Sequence, residues 1–243
     1  SADAVRYWAA GAGLGKDTVI SEERITTGGR WVTKLWNVAR FAERFLSDYT
    51  PPDAPPDGLT TADRWLLARL ARLTAAATAA FEAYDYATVR SEIETFFWRD
   101  LADNYIEMAK QRLYAGEAGY EAARYTLHQA LLITVKLLAP LLPYVTEAIY
   151  GGLFAAADGA PSVHRAAGPT AAARFDDAAA LAAGGALLDI ATAVRRYKSE
   201  HGLSLGAELA ALRLAGAPPE LAAALREATA DLLSITRARA LLF

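Results

Sequence analysis

Three features of the sequence predict a mainly α-helical chain, a helical bundle with a small α/β appendage. Apolar residues recur at helical spacing through four to five long stretches, alanine is abundant beyond Leu67, and most connectors are short. Alanine is the best helix former, and long helices on short connectors settle as antiparallel neighbours around one core.

The stretch around which the rest is organised is Ile25 to Leu46, ITTGGRWVTKLWNVARFAERFL. Trp31, Leu35, Val38, Ala42 and Phe45 follow at steps of four, three, four and three, which stacks them on one core-facing side of a helix. The other sides carry Arg30, Lys34, Arg40 and Arg44 against the single acid Glu43, with Trp36, Asn37 and Phe41 between them. Cationic, aromatic and amide groups together suit an unstacked RNA base and its phosphate. The same pattern also fits a solvated charged face over packed aromatics.

Before that helix, ADAVRYWAA forms a short helix that Gly11, Gly13 and Gly15 dissolve. A chain opening inside an amphipathic helix reads as a piece of a longer one. LGKDTVISEER is loop-like, and Ser21 with Glu22 and Glu23 marks the next helix start, where the dipole favours acids. After the central helix, YTPPDAPPDG is a stiff extended connector. Thr60 and Asp63 form a capping pair, and Leu66, Leu70, Leu73, Ala77 and Phe81 mark the core face of the following helix. The run from Ala87 to Gly116 predicts a helix of about 30 residues, roughly 45 Å, with Val89, Ile93, Phe96, Leu101, Tyr105 and Met108 at mixed spacing. A helix from about Gly119 to Leu138 ends at Pro140, and PYVTEAIYGGLF closes the bundle, residues 1–155. In the remainder, 156–243, an Ala-, Gly- and Pro-rich crossing segment runs from Ala155 to Ala186, followed by a helix from Leu187 to His201. Glu208 to Leu214 and Ala238 to Phe243 read as strands around one capped helix, Pro219 to Leu233.

Composition excludes several classes. A net charge of −3 does not suit a protein coated in positive charge for non-specific nucleic-acid binding, so RNA contact must be local. Without cysteine there is no disulfide framework and no cysteine nucleophile or ligand, which suits a cytoplasmic protein. No apolar run reads as a membrane span, and the N-terminus has no secretory pattern. His128, His164 and His201 lack ligand spacing, the glycines at 11, 13 and 15 lack the strand and Lys-Ser/Thr of a phosphate loop, and no G-x-S-x-G elbow exists. Asp100, Asp103 and Glu107 share a helix side with Lys110 and Arg112 following, an arrangement that surface ion pairs explain. Arg195, Arg196 and Lys198 around Tyr197 form a second basic cluster. No catalytic or metal site emerges. Binding remains, and an RNA surface and an ordinary charged helical protein fit equally well.

Five segments carry a resemblance: DAVRYWAAGAGLGKDT, KLWNVARF, FFWRDLADNYIEMAKQRLY, LLAPLLPYVTEAIY and RRYKSEHGLSLGAEL. In this order they resemble the anticodon-binding region of valyl-tRNA synthetase, a class I aminoacyl-tRNA synthetase, from Ala2 to the last residue. Isoleucyl and leucyl enzymes share the helical bundle, but RYWA, LGKDT and RRYKSE resemble the valyl branch most. The family's catalytic domain, with its HIGH and KMSKS motifs, and its editing domain have no counterpart here. The family esterifies valine to its tRNA using ATP and Mg²⁺. The resemblance thus implies anticodon stem-loop recognition as the non-catalytic part of a valine-tRNA ligase. No cofactor is implied for this chain, with ATP and Mg²⁺ belonging to the full-length enzyme. Valine tRNA and the missing catalytic domain are the implied partners, with neither membrane nor DNA.

Carried over by position, Phe41 corresponds to an aromatic that meets an anticodon base, and Ile106 and Glu107 lie where the family contacts the same loop. Arg24 and Lys34 are phosphate or base partners nearby, and Asn37, Arg40, Lys110, Arg195, Arg196 and Lys198 complete the tRNA-binding set. The chain departs from the family at Gly13 and Gly29, where arginines are usual; lost cations weaken affinity and its salt dependence. The usual C-terminal coiled coil also has no counterpart. The rival expectations are a free-standing paralog that binds tRNA or another RNA, and a helical protein-interaction module that has lost RNA.

Overall fold

Backbone N–H groups at helix starts need acceptors, and the sequence supplies them. Ser1, Ser21, Thr60, Asp85 and Asp177 each accept from the N–H three residues on, and Thr60 and Asp63 form a reciprocal capping box. The computed structural model describes residues 1–116, 118–170 and 175–243, so the expected crossing segment lies partly outside the described residues.

From these starts run α1 (Ala2–Ala10), α2 (Glu22–Leu46), α3 (Thr61–Glu82) and α4 (Tyr86–Thr95). The last continues without a break into a π-helical segment (Phe96–Tyr105) and then α5 (Ile106–Ala115), which Gly116 ends in the left-handed conformation. Then come α6 (Tyr120–Leu138), α7 (Pro143–Leu153), the single turn α8 (Ala155–Asp158) and α9 (Ala178–Glu200). A small parallel pair, β1 (Leu212–Arg213) with β2 (Leu241–Leu242), flanks α10 (Pro219–Glu227) and α11 (Thr229–Thr236). The two expected strands thus exist but are short, extended by one bridge between Leu209 and Ala238. The single capped helix expected over 219–233 is instead two helices, broken at Ala228, with Pro219 at the first start and no side-chain cap.

The core face read from α2 is observed: Trp31, Leu35, Val38, Ala42 and Phe45 are all buried. The long fourth stretch is different from the expected uniform helix. Val89, Ile93, Phe97, Leu101, Tyr105, Ala109 and Leu113 are all buried, at a constant step of four. In a straight α-helix such a row drifts about 40° per step. The π segment, whose hydrogen bonds span one residue more, winds the row back to the core.

α3 lies at the centre, packed by α4, α6, α9 and the π segment. One apolar cluster runs through the bundle and on to Leu187, Leu225, Ala228 and Leu232. Two glycines permit close approaches: a Cβ on Gly28 would stand 2.7 Å from the Ala4 carbonyl oxygen, and one on Gly184 would meet the Trp65 ring. The reading that no segment could span a membrane needs correction, because alanine gives α9 a mean hydropathy of 1.4 over a spanning length. A third of that window is buried in the protein, and its Leu187 face packs on α3.

Asp63 does more than cap α3. Arg112 on α5 donates from Nη1 to Asp63 Oδ2 at 2.9 Å and from Nη2 to Oδ1 at 3.0 Å, and from Nε to Asp231 Oδ1 on α11 at 3.0 Å. Tyr105 donates its hydroxyl to Asp63 at 2.6 Å, and Thr60 donates to Asp231 at 2.8 Å. All three charged groups are buried. Burial, opposed by the Arg112 charge and assisted by Asp63, pushes the Asp231 carboxyl up to about 6.

Gly184→Ala forces the Trp65 ring aside and is expected to cost about 1–3 kcal/mol, read from urea unfolding. The pH dependence of the same measurement tests Asp231. Between about pH 4 and 6 the folded protein holds a proton that the unfolded chain has released, so this group's stabilisation is complete below that window and lost as pH rises through it. The stability difference between parent and Asp231→Asn is therefore expected to move in the variant's favour, by on the order of 2–3 kcal/mol, from pH 4 to pH 6. A flat difference counts against the raised carboxyl.

Candidate nucleic-acid interface

Helical geometry sorts the cations of α2. Lys34 and Phe41, seven residues apart, lie on one stripe, with Arg30, Asn37 and Arg44 beside it. This stripe faces the π segment and α5. Lys34 Nζ stands 3.4 Å from Asp103 Oδ1 and lies 5.2 Å from the centre of the Trp98 ring. Phe41 is half-buried, edge-on to Phe45 with centroids 5.3 Å apart and to Tyr114 at 6.4 Å. Its expected status as a core side chain and as a base contact therefore meet in one residue, with part of the ring packed and part open.

Glu107 and Lys110, one turn apart on α5, form an ion pair, and both line the cleft that continues to Arg237 and Arg239 after α11. On the Lys34 side the cleft holds about 490 Å³ between Asp103, Glu107, Arg195 and Arg237. Arg195 is fixed there, donating to Asn104 Oδ1 at 3.0 Å and to the Asp103 carbonyl at 2.6 Å. The interface thus gathers Lys34, Asn37, Phe41, Glu107, Lys110 and Arg195 from α2, α5 and α9 around the π segment.

Other members of the expected set lie elsewhere. Arg24 is exposed on a separate hollow with Trp8, Gly13, Lys16 and Arg90. Arg40 points to a groove between α2 and α7, beside Trp36, Ile149 and Gly152. Arg196 is exposed. Two expectations need correction. Ile106 is only 5% exposed, because it lies on the core side of α5, so its side chain offers a base almost no surface. Lys198 is 1% exposed and does not extend the basic cluster. Its ammonium donates to the carbonyls of Leu205 and Thr236, both at 3.0 Å, tying the end of α9 to the end of α11. Burial and the nearby Arg237 charge hold it below the ordinary lysine range.

Sequence reading did not single out Trp98 or Arg237. Trp98 becomes visible only through Lys34, which lies 64 residues away in the chain. Among the described residues Arg30, Arg44 and Arg237 form no ion pair, whereas Lys34 and Lys110 do. The face therefore keeps uncompensated positive charge next to partly exposed aromatic rings, although the whole chain is acidic.

Comparison with known proteins accords with this geometry. Residues 63–213 match the family described as the anticodon-binding domain of tRNA ligase. The valine–tRNA ligase of Methanopyrus kandleri is 40% identical across 98% of this chain and 26% of its own length. That of Thermococcus kodakarensis is 41% identical over 86% of this chain and 23% of its own, and that of Anaplasma marginale 41% identical over 84% and 24%. The chain spans about a quarter of the length of these relatives. Among solved structures, a ternary LeuRS–tRNA–LeuAMS complex from Agrobacterium radiobacter K84 matches 72% of this chain and 20% of its own. Its TM-score is 0.53 at 18% identity, a likeness of fold.

The placement of the two neighbouring cations on α9 is testable by unfolding. Lys198→Met takes the ammonium donor from the buried Thr236 carbonyl and the part-buried Leu205 carbonyl and is expected to lose about 1–3 kcal/mol. Arg196→Ala, at an exposed position, is expected to stay within about 0.5 kcal/mol of the parent.

Proposed function

This chain belongs to the anticodon-binding domain family of tRNA ligases, and from that premise we propose that it grips the anticodon stem and loop of valine tRNA for a valine-tRNA ligase. The observation that carries this reading is the α2 stripe, in which half-buried Phe41 stands between Lys34 and the exposed Arg44. A ring held by Phe45 and Tyr114 is pre-organised for stacking on an unpaired base, and the flanking cations take the phosphates. Glu107 and Asn37 supply acceptor and donor groups for base edges.

The whole ligase joins valine to its tRNA with ATP and Mg²⁺, and that chemistry belongs to a catalytic domain outside this chain. The relatives' shared name and 37–41% identity support valine as the amino acid. The part played here is to hold the far end of the tRNA, so that anticodon contacts contribute to the choice of which tRNA reaches the catalytic domain.

Titration of the chain with transcribed valine tRNA and with anticodon-altered tRNA, across a salt series, tests the reading. The expected outcome is tighter binding to the valine anticodon, weakening as salt rises. Phe41→Ala is expected to cost ~1–3 kcal/mol of binding, the worth of one stacked base. Equal affinity for every anticodon would leave an RNA module without anticodon readout. Absence of binding at low salt would favour a protein-interaction module.

A further inference from the structure

Tyr114 is a large aromatic side chain that the packing of the bundle does not use up. It lies on α5 seven residues beyond Glu107 and four beyond Lys110, on the same helix face. Its ring packs edge-on against Phe41 and Phe45, with centroids 6.4 and 5.4 Å away, yet the residue is 59% exposed. Arg44 Nη1 donates to its hydroxyl at 3.5 Å. The ring is therefore held at one side and by its tip while much of it stands in solvent, which is the state of a pre-organised platform.

Its surroundings select the occupant. Tyr114 lines a hollow of about 420 Å³ with Arg237 and with the ion pairs Glu107–Lys110 and Glu208–Arg239, an excess of one positive charge. Arg44 and Arg237 have no ion pair among the described residues. Arg237 sits in the left-handed region at φ 58°, where a side chain other than glycine carries backbone strain. Arg44 and Arg237, without acidic partners among the described residues and beside an exposed ring, fit a flat base joined to a phosphate better than they fit an apolar helix of a protein partner. The Tyr114 and Phe41 rings are inclined at 69°, so one flat base cannot stack on both.

We propose that Tyr114 is a second base-stacking platform, which takes the unpaired RNA base next to the one on Phe41 while Arg44 and Arg237 hold the phosphate between them. This rests on the anticodon-binding reading above and adds to it a splayed pair of neighbouring bases.

The test uses the full chain and valine-anticodon RNA hairpins carrying 2-aminopurine at single loop positions, read by affinity and fluorescence. Tyr114→Leu keeps an apolar side chain against Phe41 and Phe45 but removes the ring. It is expected to weaken binding roughly tenfold and to release quenching at one loop position, adjacent to the position released by Phe41→Ala. Tyr114→Phe and Tyr114→Trp are expected to bind within about twofold of the parent, since both keep a stacking face. Should Tyr114→Leu lower the melting temperature, these two variants decide, and loss of binding in both overturns the proposal. So does Tyr114→Leu binding as tightly as the parent, or releasing the same position as Phe41→Ala. If Phe41→Ala still weakens binding in that case, the anticodon reading stands without the second platform. If the parent does not bind the hairpins, both fall.

Discussion

The guanidinium of Arg112 between two carboxylates is the contact on which the arrangement of this protein depends. It joins α3, α5 and α11, which the chain alone would leave apart, since Asp63 and Asp231 are separated by 168 positions. Burying one cation and two anions is costly unless nearly every lone pair and proton is answered. Here Tyr105 donates its hydroxyl and Thr60 its backbone N–H to Asp63, the Thr60 hydroxyl donates to Asp231, and the Gly119 carbonyl accepts from Arg112. Burial is the main cause of the raised Asp231 carboxyl, with the Arg112 charge opposing it and the second carboxylate adding to it. By fixing α11 on α5, the network also fixes where Arg237 emerges beside Glu107 and Lys110, so the cation side of the interface is set from within the core.

Much of the fold is legible in the sequence because α2 and α3 are regular α-helices with side-chain caps, and their apolar period equals the helical one. The Thr60–Asp63 pair is recognisable as a cap, but its second role needs Arg112, 49 residues on, and no local pattern announces it. The π segment defeats the reading for a different reason. A constant step of four from Val89 to Leu113 matches neither period, and reading it as mixed spacing hides the phase of α5. Without that phase, the burial of Ile106, which enters through the family resemblance, is not foreseen, and Tyr114 is not noticed. Lys198 is misread because charge in a sequence suggests solvent, whereas four methylenes let an ammonium reach carbonyls inside the protein. Phe41, Lys34 and Glu107 are legible as candidates, and the cleft that unites them is not.

The interior also holds a neutral base. His128 on α6 is buried between the Tyr49 and Phe154 rings, and burial pushes it down to about 4. As a base with a lowered value it stabilises the fold fully above about pH 6.5, and this is lost as pH falls toward 4. Asp231 works in the opposite sense over nearly the same range. The two groups offset one another, so their combined contribution varies less with mild acidity than either would alone.

Within one continuous helical rod, the π segment itself carries Trp98 and Asp103 beside Lys34 and sets the phase of a second end, Glu107 to Tyr114 on α5, beside Phe41. Relative to an α-helix of the same length, its wider turns rotate the second end by on the order of half a turn. It acts as a phase adjuster within a rigid element, setting the angle between two recognition surfaces without any hinge. A single-residue deletion there has an unusual meaning. It can be absorbed by tightening one wide turn, but the rod beyond it is then re-clocked, so that Tyr114 and Arg112 exchange neither place nor partner smoothly. The core contact and the recognition face ride on the same rod, and their angular positions can only change together.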